Sequence, residues 1–295
     1  MASKFIAEIS SNHNQDINRT IQLIQEAKKI GCWGVKFQLF SVEHLYAPEF
    51  TKQIEKMKQW ELPIDFLIHI EYECEKQGLK FICTPFDLDS VEILEGYFVD
   101  FLKIGSYELN WFPLVKAIIE TKKPWIFSTG MTETPIIWPI NMGMDKKNPP
   151  FAILHCNSNY PAKPEHCNLS RIQEIQKIIT FKKYPTKVGW SDHTRNPELV
   201  LTALAQGAEI VEFHFDLEDG KGFEFSAGHC WKPSEAMQLI NRAKANAQWG
   251  WNKWIGKKEW IYSETNEQEA SKWHTDPEDG LRPLKRYRKE LLENV

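Results

Sequence analysis

Eight short apolar runs, rich in β-branched and aromatic side chains, recur along the chain at 5–9, 34–40, 80–84, 101–105, 124–128, 151–155, 187–191 and 210–214. Each has the length and composition of a strand. Between them the apolar positions return with helical period, at 17–30, 64–77, 90–98, 112–121, a short proline-broken piece at 133–140, 169–180 and 196–206. A last helical pattern, 233–248, follows the eighth run. Gly31, Gly78 and Gly207 stand directly after three of these patterns as stop signals. Eight strands alternating with eight helices predict a (β/α)8 barrel, whose reactive groups come from the carboxyl ends of its strands. A doubly wound open sheet has the same alternation, but no glycine-rich G-x-G-x-x-G turn follows the first strand.

On a barrel the polar residues fall into register at one rim. The first strand ends in Glu8 and then Asn12-His13-Asn14; the second carries Lys36 and Gln38, two apart and so on one face. The third ends in Thr84, the fourth carries Lys103, Ser106 and Glu108, and the fifth ends in Ser128-Thr129-Gly130. The sixth runs from His155 to Tyr160, the seventh ends in Ser191-Asp192-His193 and the eighth in His214. Adjacent parallel strands lie about 4.8 Å apart, so His193 and His214 at neighbouring strand ends can share one divalent cation. Buried lysines need an anion. Lys36 and Lys103, ringed by Thr84, Ser106, Ser128, Ser158 and Ser191, form a cradle suited to a phosphorylated carboxylic acid. Taken singly, each lysine could instead pair with a neighbouring glutamate, each hydroxyl could cap a helix, and each histidine could be an inert hydrogen-bonded residue.

Composition narrows the function class. With 295 residues the chain is long enough for one large barrel, and a net charge of -4 lacks the basic excess of a nucleic-acid binder. No signal peptide or membrane span is expected, which places the protein in the cytoplasm. Six cysteines without a CxxC pair read as reduced, buried thiols.

Nine segments together carry a resemblance. Ala7-Glu8-Ile9-Ser10-Ser11-Asn12-His13-Asn14, Val35-Lys36-Phe37-Gln38, Cys83-Thr84-Pro85-Phe86-Asp87, Lys103-Ile104-Gly105-Ser106 and Phe127-Ser128-Thr129-Gly130-Met131 come first. Leu154-His155-Cys156, Asn159-Tyr160-Pro161, Gly189-Trp190-Ser191-Asp192-His193-Thr194 and Glu212-Phe213-His214-Phe215 complete the set. In this order, over residues 1–250, the chain resembles the sialic acid synthase family. That resemblance implies condensation of phosphoenolpyruvate with an N-acylated hexose such as N-acetylmannosamine, giving a nine-carbon 3-deoxy keto acid and phosphate. It implies Mn2+ or Mg2+ held by His193 and His214, and phosphoenolpyruvate held by Lys36, Thr84, Lys103, Ser106, Ser128, Ser158 and Ser191. Glu8, Gln38, Glu108 and Tyr160 are expected to face the sugar and the attacking water, with Glu8 or Glu108 as base. A homodimer is implied as well.

Two stretches depart from the family pattern. After the eighth strand, members carry a Gly-Pro-Asp-His-like loop whose aspartate joins the site; here Glu224 and His229 are the candidates to stand in for it. The expected division is a barrel at 1–250 and a Trp-rich extension at 251–295, without the family's small antifreeze-like C-terminal domain. The extension carries a basic patch (Arg282, Lys285, Arg286, Arg288, Lys289) that reads as a solvated helix face. Its tryptophans suggest a sharper idea, a lid docked on the barrel or on a second subunit. Two other function classes fit part of the pattern: a metal-dependent sugar isomerase or epimerase, and a non-catalytic sugar or sugar-phosphate binding paralogue.

Overall fold

The computed structural model describes residues 3–131, 137–245 and 266–293. Eight parallel strands close a barrel in chain order: β1 Lys4–Glu8, β2 Gly34–Leu39, β3 Lys80–Pro85, β4 Phe101–Ile104, β5 Trp125–Ser128, β6 Ala152–Cys156, β7 Lys187–Asp192 and β8 Ile210–His214. β8 returns to β1, with His214 opposite Glu8. A helix follows every strand, as the alternation predicts. Among the described residues no helix is long and apolar enough to cross a membrane.

Strand alternation sorts the two faces. Outward-facing Phe5, Val35, Phe81, Leu102, Phe127, Ile153, Trp190 and Phe213 bury against the helices in one continuous core. Inward-facing Ile6, Ile82, Phe101, Ile126, Leu154 and Ile210 fill the lower barrel. Two residues further along each strand the inward position turns polar: Glu8, Thr84, Lys103, Ser128, Cys156 and Glu212. Period two therefore delivers the chemistry to the carboxyl-end rim above an apolar plug. Each fully buried large apolar side chain stabilises by about 1.5–3 kcal/mol, which offsets the desolvation of that polar rim.

The helix Ile17–Ile30 illustrates the local logic. Asp16 accepts hydrogen bonds from the Asn18 and Arg19 N–H groups at its start, and Gly31 ends it at a φ of +93°. Its buried stripe is Thr20, Leu23, Ile24, Ala27 and Ile30. Two features differ from the sequence expectation. Helix Leu88–Glu95 starts two residues before the expected 90 because Asp87 caps it, accepting from the Ser90 N–H at 2.6 Å. Short helices Val42–Leu45 and Thr51–Met57 occupy the connection after β2. Of the two readings of the C-terminal segment, the solvated face gives way to docking: it packs across the carboxyl-end rim, bridging Arg282 to Tyr46 and the Thr275 N–H to the Tyr107 carbonyl at 3.2 Å. Trp273 packs edge-on against Tyr46 and Phe50; Trp249, Trp251, Trp254 and Trp260 lie outside the described residues, as does the greater part of the 133–140 connection's start.

Candidate active site

At the rim the two lysines have different company. Lys36 Nζ lies 3.1 Å from Glu8 Oε2 and 3.3 Å from Glu212 Oε1, and donates to Thr84 Oγ1 at 3.4 Å. Burial works against its charge, but Glu212 and Glu8 together outweigh it and push the ammonium group's pKa up. Lys103 instead donates to Ser128 Oγ at 2.6 Å and to the Ile104 carbonyl at 3.1 Å. Burial brings its pKa down to about 8, with Lys36 adding repulsion and Glu212 only partly compensating. Lys36 thus does pair with glutamates, whereas Lys103 is a buried cation facing hydroxyls.

The carboxylates are pushed apart as well. Burial, reinforced by Glu212 and Glu224, raises Glu8 to about 7 in spite of Lys36. Glu212 is equally buried, yet Lys36 and Lys103 hold it at about 2. One carboxylate is poised to carry a proton near neutrality while the other stays an anion. Gln38 Nε2 donates to Glu8 Oε1 at 2.8 Å, and Ser191 Oγ to Glu212 Oε1 at 3.0 Å.

After β5 a cluster of hydroxyls packs so closely that only a glycine fits among them. A Cβ on Gly130 would stand 2.0 Å from Ser158 Oγ, 2.8 Å from Cys156 Sγ and 2.9 Å from Ser106 Oγ. The Gly130 N–H donates to Ser106 Oγ at 3.0 Å, and Ser106 Oγ meets Cys156 Sγ at 3.0 Å. None of these hydroxyls caps a helix; the side-chain caps among the described helices are Asp16, Asp87 and Asn196.

Imidazoles gather on the other side of Glu8. The rings of His193 and His214 are 5.3 Å apart, and Tyr160, 43% exposed, lies over His193 at 4.1 Å. His193 Nδ1 is 2.6 Å from the Asn157 carbonyl, and His214 Nδ1 is 2.9 Å from Glu224 Oε2. Both neighbours only accept, so each Nδ1 carries the proton and each Nε2 keeps a lone pair. Burial, and next the neighbouring imidazoles, lower the pKa of His193 and His214, so both rings are neutral. Neutral imidazoles fixed in one tautomer by a carbonyl or carboxylate are the donor set a divalent cation takes.

Of the residues singled out in the sequence, Glu8, Lys36, Gln38, Thr84 and Ser191 join one network through Glu212, Lys103 and Ser128 form a separate pair, and Ser106 and Ser158 belong to the hydroxyl cluster at Gly130. His193, His214 and Tyr160 form the adjoining cluster. Glu108 has other partners: it forms an ion pair with Arg282 and accepts from Thr275 Oγ1 at 3.3 Å. Glu212 was missed, although it precedes His214 by two on β8 and so shares its face. Asn12 was read only as part of a motif; it clamps the loop after β8, donating to the Phe215 carbonyl at 3.0 Å and accepting from the Glu224 N–H at 2.9 Å. Asp192 ties β7 to the same loop, accepting from Trp190 Nε1 at 3.2 Å and Trp231 Nε1 at 3.1 Å.

Comparison with known proteins puts this geometry in context. Residues 23–250 match the NeuB family. The chain is 32% identical over 231 residues to an N,N'-diacetyllegionaminic acid synthase of Campylobacter jejuni, covering 72% of this chain and 67% of that one. It is 33% identical over 243 residues to an uncharacterised protein of Methanocaldococcus jannaschii, covering 81% and 69%. The solved structure of an N-acetylneuraminic acid synthetase from Leptospira borgpetersenii, in complex with citrate, superposes with a TM-score of 0.76 at 28% identity, over 92% of this chain and 90% of that one.

Proposed function

The chain belongs to the NeuB family, and from that membership we propose that it joins phosphoenolpyruvate to the open-chain aldehyde of an N-acylated hexose, forming a nine-carbon 3-deoxy keto acid and releasing phosphate. The observation that carries this reading is Lys103: a fully buried ammonium group whose hydrogen bonds go to one hydroxyl and one backbone carbonyl and to no carboxylate, beside the hydroxyls that crowd Gly130. A buried cation so placed is explained by an anion that the site receives.

In this reading Lys103, Ser128, Ser106, Ser158 and the Gly130 N–H hold the phosphate and carboxylate of phosphoenolpyruvate, with Lys36, Thr84 and Ser191 at the opposite side. His193 and His214 hold a divalent cation, which when bound supplies Lewis-acid polarisation of the sugar carbonyl. C3 of phosphoenolpyruvate forms the new bond to the aldehyde carbon, and the aldehyde oxygen takes a proton from Glu8. The cationic C2 that results is stabilised by the permanent charge of Glu212. Glu8, now a carboxylate, accepts a proton as water adds to C2. Collapse of that adduct breaks the C2–O bond and phosphate leaves. Lys36, 3.1 Å from Glu8, steadies the carboxylate form between the two transfers. In this reading Tyr160 faces the sugar, while Glu108 is held by Arg282 and takes no part as base. Binding in the order of micromolar phosphoenolpyruvate, and phosphate release only when an N-acylated hexosamine and a divalent cation are both added, is the expected result. Absence of phosphoenolpyruvate binding by calorimetry overturns the proposal, and turnover of an aldose without phosphoenolpyruvate supports an isomerase instead.

A further inference from the structure

The proposed reaction leaves the buried imidazole of His229 at the rim without a task. His229 lies in the loop between β8 and helix Pro233–Ala245, and the chain brings it back by a second pass along β8. Trp231 pairs with Phe215: the Trp231 N–H donates to the His214 carbonyl at 2.8 Å and the Asp216 N–H to the Trp231 carbonyl at 3.0 Å. Gly228, at a φ of +87°, makes the turn that precedes it. His229 is thereby set with its ring 4.5 Å from that of His214 and 5.0 Å from Tyr160. It is 3% exposed, and neither ring nitrogen has a hydrogen-bond partner. Nearly all buried polar groups are partnered, so an orphan of this kind calls for an explanation.

Glu224 stands between the two rings. Its Oε2 is 2.9 Å from His214 Nδ1 and 3.7 Å from His229 Nε2, and its other oxygen accepts from the Ser10 hydroxyl. One donor atom each from His214, Glu224, His229 and Cys230 lie within 4.8 Å of one another. The Cys230 sulfur faces Asn12 Nδ2 at 3.5 Å. We propose that His229 is a further ligand of the cation beside His214, with Glu224 supplying the balancing charge, and that this extra imidazole makes the centre select a borderline transition ion such as zinc, cobalt or iron over magnesium. The inference rests on the cation site of the proposed function and extends it to a residue outside that pair. Nitrogen-rich sites follow the order of transition-metal affinities, whereas magnesium requires oxygen ligands and keeps much of its water.

The test uses the full chain, stripped of metal by chelator dialysis and titrated with zinc and with magnesium in competition with a chromophoric chelator. His229→Gln is expected to weaken zinc binding 10- to 100-fold with little change for magnesium, so that the zinc preference narrows. Phosphoenolpyruvate binding, measured on the same metal-free samples, is expected to be unaltered. Equal zinc affinity in wild type and His229→Gln overturns the inference, as does a wild type that binds magnesium as tightly as zinc. Should the variant fail to fold, a zinc-edge anomalous map of wild-type crystals decides: a peak about 2.0–2.1 Å from a His229 nitrogen supports it, and a peak touching His193 and His214 alone overturns it. Loss of phosphoenolpyruvate binding in every sample sinks the synthase reading but leaves the zinc comparison to decide the ligand.

Discussion

Arg282, near the end of the chain, forms a buried ion pair with Glu108, which follows β4. The guanidinium lies over the rings of Tyr107 and Phe86 at 4.9 and 5.2 Å, and the backbone around it is pinned by the Arg282 N–H donating to the Leu45 carbonyl at 2.8 Å. Burial lowers the arginine's pKa without making it neutral. The contact spans 174 positions of sequence and joins the C-terminal segment to the rim.

Removing one member of that pair leaves the other charge buried. Arg282→Met is expected to destabilise the fold by about 3–5 kcal/mol, read as a lower midpoint in urea. The double variant Arg282→Met with Glu108→Gln is expected to regain a large part of that loss, because both charges are then gone. Equal midpoints for the single and double variants would show that the pair does not couple.

How much of this could be read beforehand varies with the range of the interaction. Barrel topology was legible because strand and helix periods are local, and because period two alone puts Lys36 and Gln38, or Ser128 two beyond Ile126, on one face. The Glu8 and Lys36 register followed once the strands were adjacent. Glu212 carried the same signal and was passed over in favour of its neighbour His214. Arg282 read as one of five basic residues on a solvated face, yet it is only 9% exposed. Nothing in its neighbourhood announces a partner on β4's loop, since that contact depends on how the chain folds back across the rim. The place of Glu224 beside His214 likewise depends on Asn12, two hundred positions away, which holds the loop.

The two perturbed groups of opposite kind give a definite pH dependence. Glu8, raised to about 7 by burial, must hold a proton to give to the aldehyde oxygen, so kcat/KM for phosphoenolpyruvate falls as pH rises through that range. Lys103, lowered to about 8 by burial, must keep its proton to hold an anion, so kcat/KM falls through that range. A plateau below about 7, followed by a fall that steepens above about 8, is expected. Lys103→Arg should remove the steeper part of that fall, since a guanidinium stays charged. A broad plateau extending beyond pH 9 in the wild type would remove Lys103 from the binding step.

Gly130 offers a test of the hydroxyl cluster that spares the charges. In Gly130→Ala the new methyl group needs the space now shared by Ser158 Oγ, Cys156 Sγ and Ser106 Oγ. Small displacements at a binding site are amplified, and a loss of about 100-fold in phosphoenolpyruvate affinity is expected. The melting temperature should move little, because Gly130 follows β5 rather than forming part of it. Unchanged affinity by calorimetry would place the anion elsewhere on the rim.

The two lysines should respond in opposite ways to the same substitution. Lys36→Met leaves Glu8 and Glu212, both buried and formerly bridged by one ammonium group, facing each other without a cation. A stability loss of about 3–5 kcal/mol is expected at neutral pH. Lys103→Met removes a cation that has no carboxylate in contact, and its apolar stem sits above Phe101 and Ile126 of the barrel plug. Its midpoint in urea should be no lower than wild type, since the desolvation of an ammonium group is relieved. Both variants should nonetheless lose phosphoenolpyruvate binding. If Lys103→Met proves as unstable as Lys36→Met, then Lys103 serves the fold and not a ligand. A lysine whose loss relieves the barrel but empties the site is retained against its own effect on stability, and only binding can account for its presence there.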